Sequence, residues 1–209
     1  MLIFKSNVRG KKMNLNVEKI KRGLNTILLG RNIKYYEMID STQNEAKRIT
    51  KNDYIENGTY IVTDKQTNGK GTNDRKWYDS IGENICGTFV LKPNCNIKKI
   101  EGITILIANC IVTAIYNLYN IDLKIKYPND IMCNGKKMCG ILTESVTNAE
   151  IVQYIYVGIG INVNQTNFNS EIENIATSLK HEYDRDFVRE DIIAEFFNIF
   201  EEKYLDLIK

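Results

Sequence analysis

The sequence predicts an α+β domain with a mixed, mainly antiparallel sheet packed with helices, and three observations carry that prediction. Asn134-Gly135 sits between two apolar runs and is the preferred pair for a two-residue type I′ hairpin turn, so residues 131–144 read as an antiparallel hairpin. Strand and helix patterns follow one another without the strict alternation of a doubly wound parallel sheet. Two long segments, 103–118 and 187–208, carry apolar residues at helical spacing and supply a layer to cover one face of the sheet.

The elements follow in order. Residues 16–29 form a short amphipathic helix with Asn16 as its cap, and 33–39 form a strand by aromatic and branched content. Thr42 and Glu45 stand at capping-box spacing and open a second helix. Residues 59–66 are a strand running into the loop TNGKGTNDRKWYDS, and 83–92 are another. The long helix buries positions 103, 106, 107, 111, 114, 115 and 118. A strand over 123–127 ends at Pro128, the hairpin follows, and 151–164 form a long strand. In the final helix Ile192, Ile193, Phe196, Phe197 and Phe200 face the core.

Composition bounds the chemistry. The chain has 209 residues, 43% hydrophobic and 26% charged, with no repeat or Pro/Gly/Ser-rich linker, which predicts one domain over 16–209 after a basic leader over 1–15. No apolar stretch approaches a membrane span and no h-region follows the basic start, so no membrane partner and a cytoplasmic location are expected. His181 is the single histidine, which disfavours His-rich metal sites and triads. The five cysteines are odd in number and never spaced C-x-x-C, which argues for reduced, mostly buried thiols. Residues 1–24 hold seven of the 28 Lys/Arg and one of the 26 Asp/Glu. The remaining 21 cations and 25 acids leave the main body acidic, and no nucleic-acid partner is expected.

Four segments could carry chemistry. The loop QTNGKGTNDRKW concentrates Gly69, Gly71, Lys70, Arg75, Lys76 and the lone Trp77, a setting in which backbone can approach an anion and cations can neutralise it. It is neither a dinucleotide fingerprint nor a Walker A loop. In KYPNDIMCNGKKMCGIL, Asn129-Asp130 sits at a strand end. Lys137, Cys139 and Ile141 fall on one face by alternation, which points Lys137 inward. Two glycines inside VGIGINVN imply close approach of a ligand or another backbone, with Asn162 beyond them. DSTQNE places Ser41, Thr42 and Gln43 at a helix start, where caps and ligand groups can coexist.

Taken together and in this order, DSTQNEAK, QTNGKGTNDRKW, KYPNDI with NGKKMCGIL, GIGINVN and ATSL (176–179) resemble the catalytic domain of biotin protein ligases, related to lipoate ligases and class II synthetases. The resemblance implies an ATP-dependent ligase that uses Mg²⁺, joins biotin to AMP as biotinyl-5′-AMP with release of pyrophosphate, and acylates a lysine of a biotin carboxyl carrier protein. It implies Lys137, Asp130 and Arg75 as catalytic residues. It places biotin on Ser41, Thr42, Gln43, Gln66, Gly69, Lys70, Gly71, Thr72, Lys137 and Gly140. It places the nucleotide on Arg75, Trp77, Asn129, Asp130 and Asn162, with Mg²⁺ carried by ATP near Asp130 and no protein-only metal site.

The family loop reads G-R-G-R-x-G-R where this chain has G-K-G-T-N-D-R. Thr72 stands for an arginine that helps retain the adenylate, and Asp74 for a glycine, so weaker retention of the adenylate or an altered substrate is expected. Neither an N-terminal helix-turn-helix nor a C-terminal SH3-like domain is read in the sequence, so a monofunctional enzyme is expected, as a monomer or a homodimer. Two alternatives stand beside the ligase: a biotin- or adenylate-binding protein without catalysis, and a lipoate or octanoate ligase or transferase of the same superfold.

Overall fold

Asn134 and Gly135 both adopt positive φ (47° and 83°), and the hairpin they turn is the centre of the sheet's far half. In a computed structural model, which describes residues 14–73 and 75–209, the chain runs α1 (Val17–Gly23), β1 (Ile33–Tyr36), α2 (Thr42–Asn52), β2 (Tyr60–Thr63), β3 (Ile85–Leu91), β4 (Cys95–Asn96) and a 3-10 turn (Ile97–Ile100). It continues with α3 (Ile103–Tyr119), β5 (Lys124–Lys126), β6 (Asp130–Cys133), β7 (Lys136–Asn148), β8 (Ile151–Ile161), α4 (Leu179–Tyr183) and α5 (Arg189–Ile208). One sheet orders the strands β1-β2-β3-β8-β7-β6-β5, with β4 beside β8. Among the strands of the described residues, β1 and β2 alone pair in parallel, so the sheet is mixed and mainly antiparallel as the sequence predicts.

The two faces of the sheet have different work. One carries the main core, where α3 and α5 bury Ile107, Ile111, Ile115, Phe196, Phe197 and Phe200 against Phe89, Val157 and Ile159. The other carries α2 over a small cluster of Ala46, Ile61, Val90 and Tyr156, and leaves the rest open. The run Ile97–Tyr119 is long and apolar enough, with mean hydropathy 1.6, to cross a membrane by length and composition, which the sequence reading missed. Its apolar side is spent on the core.

Several boundaries shift for tertiary reasons. The first helix stops at Gly23 instead of 29, because the Glu201 carboxylate accepts the backbone N–H groups of Ile27, Leu28 and Leu29 and holds that segment irregular. Asn16 does cap the helix, accepting from Lys19 N at 3.0 Å. The cap of α2 is Ser41 and not Thr42, whose hydroxyl is turned to Gln66. The expected leader lies outside the described residues except at its end, where Leu15 is buried and donates its N–H to Asp64. Asp64 and Arg189 form a buried ion pair at 2.7 Å that joins β2 to α5 behind the open face.

Candidate active site

Glycine placement opens the site. Gly140 on β7 and Gly160 on β8 stand opposite each other, and the next row pairs Leu142, Gly158 and Thr88. A side chain at Gly160 would overlap the Trp77 ring, and one at Gly140 would lie 3.0 Å from Lys137 Nζ and 3.1 Å from Trp77. The glycines therefore form a floor on which one lysine and one indole lie directly. Trp77 arrives there because its loop folds back as a small hairpin. Trp77 N donates to Gly69 O (2.9 Å) and Gly71 N to Arg75 O (2.7 Å). Gly69 is required at the base, since a Cβ there would meet Trp77 O at 2.6 Å. Asp79 pins the far end of the loop, accepting from Lys65 Nζ (2.8 Å) and Gln66 N (3.0 Å).

Two clefts meet at Lys137 and Trp77. The inner one encloses about 440 Å³ counting its mouth and is lined by Ser41, Thr42, Gln43, Gln66, Lys70, Gly71, Thr72, Asn129 and Gly140 among others. Its closed end is buried and polar. Gln66 Oε1 accepts from Thr42 N (2.9 Å) and Thr42 Oγ1 (3.2 Å), and Thr88 Oγ1 sits 2.9 Å from Thr42 Oγ1. Gln43 Nε2 donates to Glu144 (2.7 Å) and to Tyr156 O (3.3 Å). The outer cleft encloses about 1180 Å³ counting its mouth, lined by Arg75, Lys76, Tyr78, Lys126, Asp130, Met132, Asn162 and the turn at 172–176. Asp130 is the one carboxylate in that lining among the described residues, and its Oδ1 pairs with Lys137 Nζ at 2.7 Å.

Lys137 reaches the site by a different route from the one the alternation predicts. It does not share the face of Cys139 and Ile141. A bulge lets Met132 oppose Lys137 while Ile131 opposes Cys139, so Met138 is the extra residue. Met138 and Cys139 both enter the core, and Lys137 falls on the Gly140 face. Burial pushes the Cys139 thiol well above its usual range, as expected of an inert core cysteine.

Other residues differ in detail from the expectation. Asn129, expected at the nucleotide, lines the inner cleft, with its Nδ2 donated to Ile141 O at 3.1 Å. Trp77, expected on the nucleotide side, lies between both clefts. Gly69 lies behind the loop, outside both linings. Arg75 is exposed and folds back on the loop, donating to Thr72 O (3.1 Å) and Thr72 Oγ1 (2.8 Å). Asn162 is buried in the outer cleft, its Nδ2 held by Thr177 O (3.0 Å) and its Oδ1 without a hydrogen-bond partner. Asp74 lies outside the described residues. The sequence reading missed Thr88 and the 172–176 turn; pairing Gly158, which it did single out, across to Thr88 could have found the first. No cluster of three or more His, Cys, Asp or Glu able to hold a metal occurs among the described residues.

Comparison with known proteins fits this geometry. The sequence profile of the biotin/lipoate A/B protein ligase family matches residues 35–162, which holds every site segment up to Asn162. The chain belongs to that family. Within it, the chain is 37% identical over 194 residues to the bifunctional ligase/repressor BirA of Bacillus subtilis, covering 92% of this chain and 59% of that protein. It is 32% identical over 130 residues to the biotin–[acetyl-CoA-carboxylase] ligase of Paracoccus denitrificans, covering 59% of this chain and 51% of that one. The chain thus spans about three fifths or less of these relatives' length. Among solved structures, the Aquifex aeolicus biotin protein ligase in complex with biotin and ATP superposes with a TM-score of 0.72 at 28% identity, over 84% of this chain and 71% of that chain.

Proposed function

We propose that this family member is the catalytic domain of an ATP-dependent biotin protein ligase. One observation carries the reading: the Lys137 ammonium stands where a narrow cleft with a buried amide-and-hydroxyl end opens into a wider, cation-rimmed cleft. A cyclic urea fits the narrow end, because it offers ring N–H donors and a carbonyl acceptor to Gln43, Gln66, Ser41 and Thr42. An octanoyl or lipoyl chain offers those groups neither donor nor acceptor and forgoes these hydrogen bonds, about 0.5–1.5 kcal/mol each.

The chemistry follows from bringing two anions together. Lys137 screens the repulsion between the acid's carboxylate and the α-phosphate and stays on the charge that develops as the carboxylate oxygen attacks. Asp130 holds the lysine in line through their 2.7 Å pair. Pyrophosphate leaves toward the rim of Arg75 and Lys76, and the acyl phosphate is then open to a carrier lysine amine. Asn162, with Nδ2 fixed and Oδ1 unpartnered, offers an acceptor to an exocyclic amine of the base. A single carboxylate in the outer lining among the described residues suits Mg²⁺ that arrives on the triphosphate, where it would neutralise phosphate charge. The carrier is a biotin carboxyl carrier protein, and five free thiols support a cytoplasmic setting.

Biotin-dependent exchange of labelled pyrophosphate into ATP tests the reading. Exchange with biotin and none with octanoate or lipoate is the expected result. Exchange with an alkyl acid instead, or biotin binding without any exchange, overturns it.

A further inference from the structure

At the closed end of the inner cleft the Gln43 amide has one orientation open to it. Its Nε2 faces the Glu144 carboxylate at 2.7 Å and the Tyr156 carbonyl at 3.3 Å. Both are acceptors only, so a nitrogen must face them and the oxygen must face the cleft. Oε1 accordingly lies 3.1 Å from the Thr88 hydroxyl and against Gly158, where a Cβ would come within 2.8 Å. Glu144 is itself braced by Lys47 Nζ at 2.7 Å, reaching across from α2 to β7. Burial raises the Glu144 carboxyl, but hydrogen bonds from Lys47 and Gln43 outweigh it and keep the group below the usual glutamate range. It is therefore a carboxylate at neutral pH.

We propose that Glu144, braced by Lys47, is a positioning residue that fixes Gln43 as an acceptor and so makes a ring N–H on the acid substrate a condition of tight binding. The inference rests on the ligase reading above. Neither Glu144 nor Lys47 lines the cleft, so both act through Gln43. An amide free to rotate would satisfy a donor or an acceptor equally. One locked against a carboxylate favours the substrate that carries the donor, because its oxygen otherwise keeps only the Thr88 hydroxyl 3.1 Å away and repels a ring oxygen set against it.

The test compares biotin with its two cyclic-carbamate isosteres, in each of which one ring N–H is replaced by oxygen without added bulk, using pyrophosphate exchange. In the wild-type chain kcat/KM is expected to fall about thirtyfold or more for one of the two isosteres. The double variant Lys47→Glu/Glu144→Lys keeps an ion pair between α2 and β7 but turns an ammonium toward Gln43. It is expected to present the amide nitrogen to the cleft and narrow that ratio to about threefold or less. Lys47→Met, at a half-buried helix position, loosens the brace and is expected to narrow the ratio partway, and it decides the matter if the double variant does not fold. A ratio unchanged in the folded variants, with biotin and isosteres affected alike, overturns the proposal and leaves the pair a structural bridge. Absence of biotin-dependent exchange in the wild-type chain overturns the ligase reading, and this proposal with it.

Discussion

In the inner cleft Thr42, Gln43, Gln66 and Thr88 are buried and hydrogen-bonded to one another, while in the outer cleft Arg75 and Lys76 are exposed and Asn162 Oδ1 is buried with nothing opposite it. The first is preorganised, since its amides and hydroxyls already hold their directions before a ligand arrives. The second is unfinished, and its rim cation Arg75 is occupied by its own loop at Thr72. On the ligase reading, the contrast places selection of the acid in the sheet and α2, whereas the nucleotide side rests on a loop whose Arg75 is turned to its own Thr72.

Five experiments sharpen or break this contrast. The largest effect is expected from Lys137→Ala, which removes the group common to both clefts and leaves Asp130 without its partner: exchange should fall by about 10²–10³-fold with the fold intact by circular dichroism. Gly160→Ala comes next. Its methyl displaces the Trp77 ring, so KM for biotin and for ATP should both rise, by roughly ten- to thirtyfold. A rise in one alone would show that the clefts are less coupled than the shared indole implies. Thr42→Val breaks the Thr88–Thr42–Gln66 chain and should weaken biotin binding about tenfold by calorimetry without changing ATP binding. Asn162→Ala should do the converse, raising the ATP KM several-fold, about 1 kcal/mol, with biotin affinity unchanged.

The smallest effect is one of pH. Glu144 is held below the usual carboxylate range in the fold, so its support of Gln43 is complete above that range and is lost as pH falls through its depressed value. Biotin affinity should therefore be flat through neutral pH and weaken only in acid. A fall beginning near neutrality would assign the control to another group.

Much of this was legible in the residues. Period 3.6 found α3 and α5, and Asn134-Gly135 found the β6–β7 turn. Local grammar failed where distant residues decide. Glu201 stops α1 from 173 residues away through Leu28. The bulge at Met138 puts Lys137 on the open face, so counting by twos, which pointed it inward with Cys139 and Ile141, chose the wrong side of the sheet. Ser41 took the cap because the Thr42 hydroxyl had a partner in Gln66 that no helix rule contains. Of the site, the charged and glycine positions were visible by chemistry. Thr88 was not, because a threonine inside a strand of buried residues is indistinguishable from ordinary β-branched filler until Gly158 is set beside it.

Trp77 is the chain's single tryptophan, and it rests on Gly140 and Gly160 with Lys137 Nζ 5.8 Å from its ring centre. The protein thus carries its own optical probe at the seam of the two clefts. Every photon excited at the red edge of the protein's absorption comes from one indole whose neighbours are the reacting groups, so emission shifts upon adding the acid, the nucleotide or both can be read without a label and without competing signal.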